Sequence, residues 1–222
     1  MSAPAAEARR ADALRNRRRL LEAAAAAFAE RGIEVPAGEV ARRAGVAKGT
    51  LFRHFPTKRA LLSAVVVDRI AALRTLIGTV TAEHPPGLPA VAQIMSRGAE
   101  LLASDRSFFD AAMAHVGGDG ELRREKLALE AALDGLVAAA QSAGELRDDV
   151  RGADLAILMM AATNTCAPTQ DLRPDLWRRY LALMVDGLRP GATTPLPVPA
   201  LAGAELLALA DDDAGPRRRR RA

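Results

Sequence analysis

The chain has 222 residues, half of them hydrophobic, 3% aromatic, with one cysteine, Cys166. That length can bury a real core in one large or two smaller domains, and a lone cysteine excludes an internal disulfide. No apolar run reaches the ~18 residues of a membrane span and no signal peptide is recognised, so a reduced cytoplasmic protein without a membrane partner is expected. The net charge of +4 conceals an asymmetry: residues 1–60 hold 13 Lys/Arg against 6 Asp/Glu, whereas residues 61–216 hold 13 against 21. A basic front on an acidic body suits a polyanion partner at one end only.

Ala/Leu/Arg/Glu stretches with helical spacing, and few alternating β-branched runs, predict an all-α fold. Residues 1–12 read as a flexible basic arm. A first helix is expected over 14–31, with Leu14, Leu21 and Phe28 on one stripe and Gly32 as its stop. A second is expected over 36–44, opened by Pro36 and ended by Gly45 in the left-handed region. A third follows over 47–54, with Val46, Leu51 and Phe55 inward and Pro56 as its end. Thr57 then caps a long fourth helix that runs to His84, before Pro85-Pro86-Gly87. Further helices are expected over 88–104, 106–116, 121–143, 152–166 and 173–188. Three prolines in 191–199 mark a linker, a weak helix is expected over 200–210, and Asp211 to Asp213 with Arg217 to Arg221 read as a disordered tail.

Residues 36–58, PAGEVARRAGVAKGTLFRHFPTK, meet the demands of a helix-turn-helix. Its second helix enters the major groove while the first crosses the backbone. Gly45 permits the tight turn, and Val46, Leu51 and Phe55 clamp the recognition helix. Lys48, Gly49, Thr50, Arg53 and His54 lie on its outer face. Gly49 lets a sugar–phosphate strand approach. Lys48, Lys58 and Arg59 can pair with phosphates, and the amides opening the fourth helix also face an anion. Lys48, Thr50 and Arg53 are the expected base readers. A solvated face is the plain alternative for each of these. Arg9, Arg10, Arg15, Arg17, Arg18 and Arg19 either reach a minor groove or flanking phosphates, or face solvent.

The segment ALRNRRRLLEAAAAAFAERG…VARRAGVAKGTLFRHFPTKRALL resembles the DNA-binding domain of the TetR family of transcriptional regulators, over about residues 14–62. The resemblance implies an N-terminal three-helix reader (13–60) and a C-terminal helical ligand-binding and dimerisation domain (61–190). It also implies a homodimer on a palindromic operator of double-stranded DNA, commonly a repressor released by a small molecule. The backbone contact that the family often makes through a threonine falls at Ala37, which has no hydroxyl. Ala47 precedes the Lys48-Gly49 pair, and Thr50 matches the usual small or polar position. A frequent tyrosine is Phe52 here, so its phosphate hydrogen bond is lost. His54 and Lys58 match. Arg42, Arg43 and Arg53 are expected to compensate for the two missing hydroxyls.

In the body, the family layout makes Met95, Phe108, Phe109, Met113, Met159, Met160 and Asn164 candidates for an apolar effector pocket. Core packing competes for each apolar one, and Asn164 can serve a ligand, a partner subunit or a backbone group. Leu155, Leu158, Trp177, Tyr180, Leu183 and Met184 are expected at the dimer interface, with Trp177 alternatively covering the pocket. No metal-ligand spacing, P-loop, GxSxG or dinucleotide fingerprint is present, so no metal, cofactor or enzymatic site is expected. A DNA-binding or protein-partnered regulator with no small-molecule pocket remains the alternative.

Overall fold

Alanine- and leucine-rich stretches become helices here wherever glycine or proline does not interrupt them. The computed structural model describes residues 3–104, 120–169, 172–191 and 194–202. Among these there are eight α-helices, a 3-10 turn over Ala167–Thr169, and no strand. The helices are α1 (Ala3–Arg31), α2 (Ala37–Arg43), α3 (Lys48–His54), α4 (Lys58–Glu83), α5 (Leu88–Ser104), α6 (Gly120–Ser142), α7 (Gly152–Thr165) and α8 (Leu176–Asp186). The helix expected over 106–116, with Phe108, Phe109 and Met113, lies outside the described residues, as does the stretch 203–222.

The first helix departs from expectation. It begins at Ala3, so the segment expected as a flexible arm is helical from that residue. Its alanines and its Glu and Arg residues are good helix formers, and Arg18 Nε donates to Glu22 Oε1 one turn on, at 2.8 Å. The buried stripe also differs. Leu14 is 68% exposed, and burial starts at Leu20, continuing through Ala24, Ala27 and Phe28. Those positions recur every three or four residues, as one helical face requires.

Two hydrophobic clusters result. One joins Phe28 of α1, Val40 and Ala41 of α2, Leu51 of α3, Phe55 just after α3, and Leu61, Leu62, Ala64, Val65 and Val66 of α4. The other joins Ile77 and Val80 at the far end of α4 to α5, α6, α7 and α8. Helix α4 therefore runs through both, anchored by Thr57, whose Oγ1 accepts from the Ala60 amide at 3.0 Å. Helix α6 does the same: Leu133, Leu136 and Val137 sit in the body cluster, but Leu122 lies in the first cluster, 1% exposed. Midway, where α4 is less buried, Arg74 Nη2 stands 3.2 Å from Glu125 Oε2 of α6.

The loop from α6 to α7 turns at Gly144 (φ +71°). Gln141 Nε2 braces it by donating to the carbonyls of Arg147 and Val150, both at 3.0 Å. Arg147 Nη2 in turn donates to the Thr194 carbonyl at 2.9 Å. The expected linker is thus held, where described, against this loop. Residues 200 to 202, the start of the expected weak helix, are not helical. Among the described residues no helix is long and apolar enough to cross a membrane.

Candidate nucleic-acid interface

Helix α2 buries Val40 and Ala41 and ends at Arg43, with Ala44 as its C-cap. Gly45 then adopts φ +66°, open to glycine at no steric cost. The Val46 amide donates back to the Ala41 carbonyl at 3.0 Å, which closes the turn. Helix α3 is pinned from inside by Leu51, 1% exposed, and by Phe55, 3% exposed, with Val46 packed against the same cluster. The Arg17 guanidinium of α1 covers the Phe55 ring, 5.2 Å from its centroid.

This clamp presents the opposite face of α3 outward. Ala47, Lys48, Gly49, Phe52 and Arg53 are exposed, and Thr50 and His54 are half-buried. The ammonium of Lys48 lies 5.9 Å from the Phe52 ring centroid. A β-carbon on Gly49 would meet no atom within 4 Å, so nothing inside the protein requires glycine there. Ala37, where the resemblance anticipates threonine, packs its methyl against the reader cluster.

The two arginines of α2 are engaged within the protein. Arg42 Nε and Nη2 donate to the two carboxylate oxygens of Glu39, at 3.0 and 2.7 Å. Arg43 Nε donates to Glu39 Oε1 at 3.1 Å, and its Nη2 to Glu30 Oε2 of α1 at 2.7 Å. The hydrogen bonds from Arg42 and then Arg43 hold the Glu39 carboxyl down at about 2. These pairs fix α2 against α1 and partly neutralise the arginines expected to compensate for the missing hydroxyls. Arg53, like Lys48, has no carboxylate within ion-pair distance among the described residues. Lys58 opens α4, whose first turn has no acidic residue, and its Nζ lies 3.5 Å from Glu34 Oε2 in the α1–α2 loop.

In the body, the candidate pocket residues part company. Met95 is fully buried and Met159 is 1% exposed, both packed in the core. Met160, one residue along α7 and a third of a turn round, is 40% exposed and so faces away from the protomer interior. Asn164 is exposed too, so it is no buried polar group in need of a partner. The buried polar residue is its neighbour Thr163, whose Oγ1 donates to the Met159 carbonyl at 3.0 Å within its own helix. Three grooves of about 590, 540 and 430 Å³ formed by described residues lie elsewhere. The second runs between α4 and α6, beside Ile77, Gly78, Ala132 and Gly135.

The candidate interface residues also divide. Leu155 is 0% exposed and belongs to the protomer core, so it cannot meet a second subunit. Trp177 is buried in that core as well, beneath the Arg178 guanidinium at 4.4 Å, and Arg178 Nη2 donates to Glu100 Oε1 of α5 at 2.7 Å. Tyr180 and Leu183 are exposed, the latter by 61%. Leu158 and Met184 are half-buried at the cluster's edge. Composition alone did not mark Met160, which shares this outward apolar character.

Comparison with known proteins agrees with this arrangement. Residues 20–65 match the bacterial regulatory proteins of the tetR family. Residues 89–190 match the C-terminal domain of SbtR-like transcriptional regulators. A TetR transcription regulatory protein from Mycobacterium vanbaalenii is 37% identical with a TM-score of 0.64, over 81% of this chain and 98% of that one. A TetR transcriptional regulator from Streptomyces coelicolor is 33% identical with a TM-score of 0.63, over 79% and 99%. The transcriptional regulator FadR from Bacillus subtilis, solved in complex with stearoyl-CoA, shares the fold at 20% identity and a TM-score of 0.60 over 77% and 98%. With a clamped, outward-facing α3 at one end and the all-helical body at the other, the chain belongs to the TetR family of transcriptional regulators.

Proposed function

We propose that the chain is a cytoplasmic, homodimeric repressor that holds a palindromic operator and leaves it when a small apolar effector enters the body. One observation supports the DNA contact above others: Lys48, Gly49 and Arg53 are exposed on a helix whose inner face is immobilised by Leu51 and Phe55. The free space around Gly49 admits a backbone strand. Lys48 and Arg53 supply donors for guanine edges, and the Thr50 methyl can contact thymine. Lys58 takes a phosphate at the start of α4. One α3 reads only a few base pairs, so two related by a twofold axis read the site.

The outward apolar residues of α7 and α8, Met160, Tyr180 and Leu183, are the proposed dimer face, with Leu158 and Met184 at its margin. An effector acts by favouring one orientation of α4 over another. The groove of about 540 Å³ between α4 and α6, beside Ile77, Gly78, Ala132 and Gly135, suits such a site, because an occupant there bears directly on α4.

The test is fluorescence anisotropy with duplexes from the chain's own upstream region. Specific binding is expected, lost on replacing Lys48 and Thr50 by Ala while the dimer stays folded. It should weaken steeply with salt, since released counterions drive phosphate contact. A flat salt response would overturn the DNA-binding role. Repeating the measurement with candidate metabolites tests effector release.

A further inference from the structure

We infer that Glu34 competes with DNA phosphate for Lys58, so that it sets the protein's affinity for DNA from a position that contacts no base. The inference rests on the reading of Lys58 as a phosphate contact and adds the residue that opposes it. Glu34 lies in the short loop between α1 and α2. The loop turns at Gly32 (φ +72°) and is anchored by Val35, whose side chain is buried in the reader cluster. Anchoring Val35 sends Glu34 outward, where its side chain is 88% exposed and its Oε2 lies 3.5 Å from Lys58 Nζ.

The pair differs from the acid–base pairs that hold α2. Glu39 and Glu30 each bind arginines through hydrogen bonds at 2.7–3.1 Å, on partly covered side chains that join α1 to α2. The Glu34–Lys58 pair is a single longer contact with a strongly exposed partner, and exposed pairs of that kind contribute little to folding. Its consequence is instead felt at the surface. A phosphate bound at Lys58 would come within a few ångströms of the Glu34 carboxylate, and like charges at that separation repel even in water. Glu34 is therefore a positioning residue: it holds the Lys58 ammonium in the free protein and must yield it when DNA arrives.

The experiment uses the full-length protein and a fluorescein-labelled 30-base-pair duplex of mixed sequence, with anisotropy titrations between 50 and 200 mM NaCl. Glu34→Gln is expected to bind at 50 mM on the order of threefold more tightly per protomer. Its plot of log affinity against log salt should steepen by about 0.9 for each Lys58 released to a phosphate. In a Lys58→Gln background, Glu34→Gln should lose most of that gain. Unchanged or weaker binding by Glu34→Gln would overturn the proposal. So would an equal gain in the Lys58→Gln background, which would reduce the effect to general charge removal. The reading of Lys58 fails separately if Lys58→Gln costs nothing once Glu34 is already Gln. A purely structural role for Glu34 would lower the thermal midpoint of Glu34→Gln without tightening DNA binding.

Discussion

The sulfur of Met159 occupies the space that a side chain on Gly98 would fill, 2.7 Å from the position of a β-carbon there, with Leu73 Cδ1 at 3.3 Å. Three helices of the body thus meet at one glycine. A second glycine, Gly152, is enclosed differently: a β-carbon there would stand 2.8 Å from the Asp134 amide nitrogen and 2.9 Å from the Leu133 carbonyl carbon.

These two sites predict different responses to the same substitution. At Gly98 the obstacle is the flexible end of a methionine, and alanine favours the helix by about 1 kcal/mol over glycine. Gly98→Ala should therefore destabilise the protein by only about 1 kcal/mol. At Gly152 the obstacle is helical backbone, which cannot swing aside, so Gly152→Ala should cost about 3 kcal/mol, the upper part of the usual overpacking range. Thermal unfolding of both variants checks the order; equal midpoints would contradict it.

Leucines at 155 and 183 should separate folding from assembly. Leu155→Ala removes buried atoms and should destabilise the fold by about 2–5 kcal/mol. Leu183→Glu places a charge on an already exposed position, so the fold should survive while the dimer dissociates. Sedimentation velocity beside a thermal melt distinguishes the two. A Leu183→Glu variant that remains dimeric would move the interface elsewhere.

Acid should loosen the reader through Glu39. Its carboxyl is lowered to about 2 by hydrogen bonds from Arg42 and Arg43. A depressed carboxyl stabilises the folded state while ionised, so its contribution is complete above about pH 4.5 and fades as the pH falls toward 2. Thermal midpoints measured from pH 6 to pH 2.5 should therefore drop more steeply for the wild type than for Glu39→Gln. Parallel curves would show that the Glu39 network adds nothing to acid stability.

Breaking the Arg74–Glu125 pair should affect stability modestly. The side chains are 45% and 24% exposed, so solvent screens their attraction. Glu125→Gln is expected to cost about 0–1 kcal/mol, readable as a small fall in the urea midpoint. A loss of several kcal/mol would show that the pair is a principal tie between α4 and α6.

Much of the reader was legible because its signals are local. Gly45 had to adopt a left-handed conformation, Thr57 had to accept an amide, and Leu51 and Phe55 had to face inward. Each follows from chemistry within four residues, and each is observed. The start of α1 was less legible because alanine and arginine suit both a helix and a solvated arm. The heptad of Leu14, Leu21 and Phe28 misled for a related reason: burial depends on what crosses the helix, and the buried stripe begins at Leu20.

Helix α7 shows where local signals run out. Its sequence GADLAILMMAATNT is apolar on nearly every side, so periodicity cannot fix its rotation. Met159 and Met160 are chemically identical, yet one is core and the other surface. Leu155 was misplaced on the same grounds, since only the packing of α5, α6 and α8 decides which way each side chain points. The ion pairs of Arg42 and Arg43 with Glu39 follow a helical i,i+3 and i,i+4 spacing and were readable in principle. The reach of Arg43 to Glu30 needed the fold.

Leu122 bears on how such regulators can be recombined. Because a leucine from α6 plugs the front cluster, the first eighty or so residues are no free-standing cassette. Cut out alone, they would carry an empty socket lined with hydrocarbon; fused to a foreign body, they would need that body to supply a side chain of matching bulk. Grafting this reading head onto another scaffold is thereby expected to succeed only where the incoming scaffold brings its own stopper.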